Sequence, residues 1–177
     1  MDWSAEGLMA FATAHQAWAW GIILVMSVLE TTPILSAFVP TLPVLIGLGA
    51  LASAGTISFQ PIFLGAAAGA LIGSTFAWWL GHHFGRAILR WKPIETHPAW
   101  LKKGTDGINR YGPWVILVSH VFAPLTASVF LIAGVTRMPF WRFQLANVPG
   151  ALAWAYLVPK TGQWGGDLLQ QLWAWVA

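Results

Sequence analysis

The most constraining feature of this chain is a run of 55 residues, from Thr31 to Gly85, that contains no Lys, Arg, Asp or Glu. Glu30 stands immediately before this run, at the end of an apolar segment. Water-soluble domains rarely go so long without a charge, whereas a chain in lipid must avoid charges. A carboxylate at the border of such a run is costly to bury in hydrocarbon, so Glu30 is the first candidate functional residue.

The composition indicates a membrane protein. Hydrophobic residues make up 57% of the chain, charged residues make up 8%, and 13 of the 177 residues are Trp. Apolar stretches of spanning length with aromatic residues near their ends are typical of helical proteins that cross the bilayer several times. We therefore predict an all-α integral membrane protein that forms a single membrane domain over residues 1–177. The chain has no cysteine, which excludes disulfides and thiolate chemistry.

Basic residues are concentrated in one connecting segment. Six of the nine lie between residues 86 and 110, with only Glu95 and Asp106 to oppose them. By the positive-inside rule this connector faces the cytoplasm, and Arg137 and Arg142 are expected at the same surface. A basic patch can also indicate nucleic-acid binding, but membrane topology already explains the charge of a short loop between membrane segments. No nucleic-acid partner is therefore predicted.

The chain begins with two predicted helices. Within residues 1–32, a short interfacial helix is expected at 3–12 and a first membrane helix at 15–29. Glu30 and Pro33 end the membrane helix, since proline does not continue a helix. No basic segment precedes it, so a cleaved signal peptide is not expected.

Residues 33–85 form a first unit, which consists of a broken segment and a continuous one. Irregular backbone at membrane depth is tolerated only where protein covers it or a wet cavity borders it. Residues 33–55 are therefore predicted to be a re-entrant hairpin, and residues 59–84 a spanning helix. Three prolines forbid one straight helix over the hairpin: Pro33, Pro40 and Pro43. In the spanning helix, Gly65 and Gly69 permit close helix contact, either within the chain or in a homodimer.

The second half of the chain follows the same order. After the basic connector, 86–112, an uncharged segment at 113–136 is interrupted by Pro124 and is predicted to be a second hairpin. A spanning helix at 140–158, which Pro159 is expected to end, completes a second unit over 113–162. Residues 163–177 are expected to form a short amphipathic tail.

An offset of 81 residues exposes a similarity between the two units. It places Pro43 on Pro124, Phe59 on Phe140, and Gly69-Ala70-Leu71 on Gly150-Ala151-Leu152. If the connector is cytoplasmic, the first hairpin enters from outside and the second from the cytoplasm. The predicted fold is therefore two inverted repeats, each a re-entrant helical hairpin plus a transmembrane helix, preceded by an additional N-terminal membrane helix. Such repeats are the architecture of secondary transporters.

Several of these residues resemble the DedA family of bacterial membrane proteins. The resemblance covers roughly residues 26–166 and implies a multi-pass protein of the bacterial inner membrane that transports lipid phosphates, in particular undecaprenyl phosphate, in a manner linked to the proton motive force. It also implies a phospholipid as a second substrate class, because distant eukaryotic relatives act as scramblases. The residues that carry it are Glu30, Phe38-Val39-Pro40, Gly81-His82-His83-Phe84-Gly85-Arg86, Ala133-Gly134, Arg137-Met138-Pro139, Phe143, Asn147, Gly150 and Trp154.

Three positions depart from the family's pattern. Leu42 stands where the family has an acidic residue, and His120 and Thr126 stand where it has arginines. Arginine holds phosphate as a permanently charged fork, whereas threonine offers one hydroxyl, so a phosphate is expected to bind more weakly here. The predicted substrate and proton site is Glu30, His120, Thr126 and Ser119, in which the carboxylate and the imidazole carry a proton. Arg137 and Arg142 are the predicted lipid-headgroup residues, and no cofactor or metal is predicted.

Structural roles are open alternatives for each of these side chains. Glu30 can anchor a helix end at the interface, and His120 can donate to a carbonyl that Pro124 frees. Ser119 and Thr126 commonly bond to backbone. Arg137 and Arg142 can be plain positive-inside anchors. His82 and His83 point about 100° apart on a helix, which disfavours a shared metal.

Two other classes of protein compete with a transporter. An intramembrane enzyme has little support, because the chain lacks a G-x-S-x-G motif, an H-E-x-x-H motif and an acidic pair. A membrane scaffold or partner subunit that kept the fold without transport is favoured by the missing arginines. An enzyme is therefore not predicted, and the scaffold is the alternative to the transporter.

Overall fold

The computed structural model describes residues 16–32, 35, 41–89, 98–120 and 123–176. These residues form an all-helical bundle, which confirms the predicted helical class. The predicted interfacial helix at 3–12, the first part of the first hairpin and residues 90–97 of the connector lie outside the described residues. The helices are α1 (Gln16–Thr31), α2 (Thr41–Ser53), α3 (Phe59–Leu89), α4 (Pro98–Tyr111), α5 (Trp114–Ser119), α6 (Ala123–Val135) and α7 (Phe140–Val176).

Glycines on α3 bring α1 and α3 into close contact. Gly65 faces the Trp20 carbonyl, Gly69 faces the Leu24 carbonyl, and Gly73 faces Thr31. The contacts advance together along both helices, so α1 and α3 run in the same direction. Three glycines at intervals of four form one face of a helix, and without side chains they let the backbones meet. The Gly65/Gly69 face is therefore occupied within the chain by α1.

Helices α2 and α6 are the second arms of the two predicted hairpins, and each packs on the long helix of the other unit. Helix α2 lies along α7, where Gly162 meets the Ile46 carbonyl. Helix α6 lies along α3, where Gly134 meets the Trp78 carbonyl and Gly81 meets the Leu131 carbonyl. The second arm of each hairpin therefore packs on the long helix of the other unit, and the two long helices form the centre of the bundle.

The central pair, α3 and α7, runs antiparallel. Phe59 stacks edge-on against Tyr156 near one end, at 5.6 Å between ring centroids, and Trp78 contacts Phe140 near the other, at 5.2 Å. Between these points the helices meet through small buried residues, Ala66, Ala67 and Ala70 on α3 and Ala151 and Ala155 on α7. Small side chains allow the close approach that packing in lipid requires.

The prediction that Pro159 ends the last spanning helix is wrong. Helix α7 continues through Pro159 to Val176. A proline inside a helix removes one backbone hydrogen bond, but neighbouring helices in a membrane can compensate. Here the Pro159 carbonyl packs on Gly49 of α2, and Gly166 beyond it packs on Ser53. Helix α2 therefore packs along α7 on both sides of this proline.

Helix α4 lies in the basic connector, where no helix was predicted. One side of it is buried through Ile108, and Gly104 meets the Ile132 side chain of α6. Lys102, Asp106 and Arg110 are exposed. Helix α4 is therefore docked on the second hairpin.

The outer surface of the bundle is apolar. Large hydrophobic side chains are exposed along the long helices, among them Leu64, Ile72 and Phe76 on α3 and Leu145 and Leu157 on α7. Such a surface suits a lipid environment rather than water. Among the described residues, one segment, Phe59–Gly85 within α3, is long and apolar enough to cross a membrane by itself. The spanning role of residues 140–158 stays a prediction.

Candidate functional site

A small cavity lies where five parts of the bundle converge. Its walls come from α1, α3, the end of α5, α6 and α7. The cavity measures about 10 Å³, room for roughly one water molecule. A larger ligand therefore enters only if the walls move apart. The lining residues are Glu30, Thr31, Ala70, His120, Thr126 and Trp154.

The cavity lies near the middle of the long helices. Ala70, which lines it, is the twelfth residue of the 27-residue apolar segment Phe59–Gly85. Gly73, one turn further along α3, packs on Thr31 and so holds the end of α1 at this depth. The end of α1 that carries Glu30 is therefore buried in the middle of the apolar bundle.

Glu30 is buried in the last turn of α1, with 8% of its surface exposed. Its Oε2 atom has no hydrogen-bond partner. Thr41 at the start of α2 faces the carboxylate, but the hydroxyl of Thr41 also lacks a hydrogen bond in this geometry. A buried carboxylate oxygen without a partner is energetically costly, which favours a functional role over helix anchoring.

His120 ends α5, at the break in the second hairpin, and is 3% exposed. Its Nδ1 atom lies 2.9 Å from the Ile116 carbonyl, and its Nε2 atom is buried without a partner. A carbonyl only accepts, so Nδ1 carries a hydrogen, and the neutral ring keeps a free lone pair on Nε2. His120 thus bonds to the Ile116 carbonyl one turn earlier instead of to a carbonyl that Pro124 frees, and the bond occupies only one of the two ring nitrogens.

Ser119 and Thr126 stabilise the break between α5 and α6. The Thr126 hydroxyl donates to the Ser119 carbonyl at 2.8 Å, and the Ser119 hydroxyl donates to the Ile116 carbonyl, also at 2.8 Å. Backbone groups freed at a helix break need such partners at membrane depth. Thr126 also lines the cavity, whereas Ser119 is buried behind it. The structure thus brings three of the four predicted site residues to the cavity. Ser119 instead holds the backbone beside it, through its bond to the Ile116 carbonyl.

Arg137 and Arg142 do not belong to this cavity. Both are exposed, Arg137 in the turn that joins α6 to α7 and Arg142 in the first turn of α7. Arg142 is 12 residues from the cavity residue Trp154, or about 18 Å along a helix. Arg137 has a left-handed backbone, with φ 60°, where its N–H bonds to Gly134 and the Met138 N–H bonds to Ala133, the pattern of a helix C-cap that glycine usually fills.

The two adjacent histidines lie on α3, away from the cavity. His82 stacks on Trp78 with ring centroids 4.8 Å apart, and His83 Nδ1 lies 3.2 Å from the Trp79 carbonyl. Among the described residues, no three His, Cys, Asp or Glu side chains come close enough together to hold a metal ion.

Some residues of the site were missed by reasoning from the sequence. Thr31, Ala70 and Trp154 line the cavity beside the predicted residues. Trp154 belongs to the segment that resembles the DedA family, and Thr31 is adjacent to Glu30. Either feature could have identified these residues as part of the site. Ala70 had none, because its role follows from where α3 crosses α7.

An all-helical bundle with an apolar outer surface and a small internal cavity is typical of a membrane protein. The family model for the VTT domain matches residues 39–163. The chain therefore belongs to the VTT-domain family, the DedA family of membrane proteins, as the sequence resemblance predicted. No solved structure matches the chain significantly.

Two relatives indicate how far the similarity extends. The chain is 27% identical over 151 residues to inner membrane protein YabI of Escherichia coli, an alignment that covers 84% of this chain and 59% of that protein. It is 25% identical over 118 residues to undecaprenyl phosphate transporter A of Bacillus subtilis, which covers 64% and 59% respectively. The chain thus spans about three fifths of the length of these relatives. Their names describe a membrane protein and a transporter and do not indicate enzymes.

Proposed function

We propose that this protein moves a lipid with an anionic phosphate headgroup between the leaflets of a bacterial inner membrane. The substrate class follows from the similarity to undecaprenyl phosphate transporter A of Bacillus subtilis. The cavity receives the headgroup, while the acyl or prenyl chain stays in the surrounding lipid. In this proposal the cavity walls move apart to admit the headgroup, and the apolar outer surface of the bundle stays in contact with the lipid chain.

One observation carries the proposal. Glu30 and His120 come from two distant parts of the chain, and both line the same cavity at mid-depth, each with a buried atom that lacks a hydrogen-bond partner. Ionisable residues are rare at such depth unless they serve a substrate or a proton. In the proposed mechanism the two groups exchange a proton as the headgroup binds and leaves, and Thr126, whose hydrogen is donated to the Ser119 carbonyl, accepts one hydrogen bond.

Helix directions support the inverted-repeat part of the proposal. The two long helices run antiparallel, and each packs side by side with the second arm of the other unit's hairpin. Two hairpins that enter from opposite faces would give this arrangement. The basic connector, with its exposed Lys102 and Arg110, is proposed to face the cytoplasm. The exposed Arg137 and Arg142 would then gather anionic headgroups at the same surface.

Vesicle reconstitution tests the proposed function. The full chain is placed in liposomes that carry a trace of labelled polyprenyl phosphate, and the label accessible from outside is measured over time and at several pH values. Transport predicts exchange that is faster than in protein-free liposomes and depends on pH. A polyprenol of the same chain length is the control for the phosphate group. Exchange no faster than without protein would contradict the proposal.

A non-transporting scaffold is the second candidate function. The observation in its favour is that no arginine or lysine lines the cavity in the described part of the chain. A phosphate would therefore meet neutral donors or a histidine rather than arginine. Absence of leaflet exchange in the vesicle assay, together with a folded and stable protein, would favour this alternative.

Replacement of Gly150 by alanine is expected to disable the site. An alanine Cβ at this position would lie 2.6 Å from Nδ1 of His120, so the ring must shift. Misplacement of a site residue by about 1 Å can cost up to about a hundredfold in rate, and we expect transport to fall by about tenfold or more. The vesicle assay measures this loss.

The matched control is Gly165→Ala on the same helix, where a Cβ would meet nothing within 4 Å. Both substitutions give α7 a better helix former, so a general effect on helix stability would appear in both. Equal transport by the two variants would indicate that the position of His120 does not matter.

A further inference from the structure

A line of polar side chains crosses the interface between α3 and α7. The Gln144 amide donates to the Thr75 hydroxyl at 2.7 Å, and the Asn147 amide donates to Gln144 Oε1 at 2.9 Å. Asn147 is completely buried, and its Oδ1 atom has no partner. An unpaired buried polar atom is energetically costly, so the free Oδ1 of Asn147 needs an explanation.

Asn147 still has an unpaired polar group when the hydrogen bonds between Thr75, Gln144 and Asn147 run in the opposite direction. A threonine hydroxyl donates as well as accepts, and an amide can be turned so that its oxygen and nitrogen exchange places. In the reversed line, Thr75 donates to Gln144, Gln144 donates to Asn147, and the Asn147 N–H₂ is the group without a partner. Asn147 can therefore present either an acceptor or a donor, whichever a ligand requires.

Asn147 lies on the face of α7 that borders the cavity. Asn147, Gly150 and Trp154 occupy positions i, i+3 and i+7, which share one side of a helix. Trp154 lines the cavity, and Gly150 packs against the His120 ring. Asn147 is thus about one helical turn from the His120 contact, about 5 Å along the axis, toward the start of α7.

We propose that Asn147, oriented by Gln144 and Thr75, is a second and neutral binding site for a phosphate oxygen of the headgroup. The proposal rests on the proposed function. An anion favours the reversed arrangement, because Asn147 then donates to it. In that arrangement the Thr75 hydroxyl donates to Gln144, and Gln144 donates to Asn147. Asn147 is sealed from solvent here, so the headgroup reaches it after His120 moves away from Gly150. The site lies between the cavity and the end of the bundle that carries Arg137 and Arg142.

A binding comparison tests this site in the detergent-solubilised full chain. The probes are undecaprenyl phosphate and undecaprenol, which differ only in the phosphate group. Asn147→Leu removes both hydrogen-bonding groups at similar size, and Asn147→Asp retains the acceptors while it loses the donor. Both are expected to weaken phosphate binding by about tenfold or more and to leave undecaprenol binding within about twofold.

Variants of Thr75 extend the test in case the Asn147 variants do not fold. Thr75→Val removes the hydroxyl that orients the line and is expected to weaken phosphate binding severalfold, whereas Thr75→Ser retains it and should bind like the original protein. Ser74→Ala is the matched control, because the Ser74 hydroxyl bonds only within its own helix, to the Leu71 carbonyl.

The outcomes separate this inference from the proposed function. If the original protein binds no undecaprenyl phosphate, both fail. If it binds, and the Asn147 and Thr75 variants bind equally well, only the second site fails. Equal loss of phosphate and alcohol binding would show that the polar line only joins α3 to α7, for example through a buried water, and would also overturn the inference.

Discussion

Glu30→Gln should abolish most lipid transport while the protein stays folded. Glutamine retains the size and hydrogen-bonding atoms of the side chain, but it cannot take up or release a proton. Removal of a buried carboxylate that lacks a partner should leave thermal stability unchanged or raise it. We expect leaflet exchange to fall by about tenfold or more, with no decrease in the melting temperature measured by tryptophan fluorescence.

His120→Ala is also expected to lower leaflet exchange by about tenfold or more, because the two side chains line one cavity. His83→Ala is the matched control, since His83 is an exposed histidine whose ring bonds to its own helix. Normal transport by either site variant would remove that residue from the mechanism. Loss of transport in the His83 variant as well would point to general damage rather than to the site.

The main helices could be predicted from local sequence because their boundaries depend on local chemistry. Pro33 follows the end of α1 at Thr31, and α3 begins at Phe59 as expected. The end of α7 could not be predicted, since a proline removes the same hydrogen bond wherever it occurs. Whether the helix survives depends on packing, and here Pro159 packs on Gly49 of α2. That contact joins residues more than a hundred positions apart.

The members of the site were easier to predict than their arrangement. Glu30 and His120 stood out as ionisable residues next to uncharged segments, and the cavity contains both. Ser119 was expected beside them, but its hydroxyl is used to hold the Ile116 carbonyl. Arg137 and Arg142 carry the right charge for a phosphate, but they lie at the surface. Too many residues separate them from the cavity for their side chains to reach it.

The line from Thr75 to Asn147 shows a further limit of sequence reasoning. Gln144 and Asn147 are three residues apart on one helix, so their bond could be expected. Their link to Thr75 depends on how α3 crosses α7, which no local pattern specifies. A polar residue in a membrane helix can be identified from sequence, but its partner is fixed by tertiary packing.

Gly73→Leu should separate α1 from α3 and remove Glu30 from the cavity. A side chain at this position would collide with Thr31 and with the Val28 carbonyl, at 2.7 Å from the Cβ, and helix backbone cannot yield as a flexible side chain can. Because the end of α1 is packed on Gly73, the helix must tilt or detach. We expect a loss of stability of about 3 kcal/mol and loss of transport, measured by thermal melting in detergent and by leaflet exchange.

Gly21→Leu is the matched control, because it makes the identical change on α1 at a position where a Cβ meets nothing within 4 Å. Leucine at Gly21 adds apolar surface and improves helix propensity by almost 1 kcal/mol, so stability should be equal or higher. Equal melting temperatures for the two variants would mean that α1 is not held by the glycine face of α3. If the Gly73 variant has a lower melting temperature and still transports lipid, the contact between α1 and α3 is not required for the function of Glu30. The cavity would then have to form without that contact.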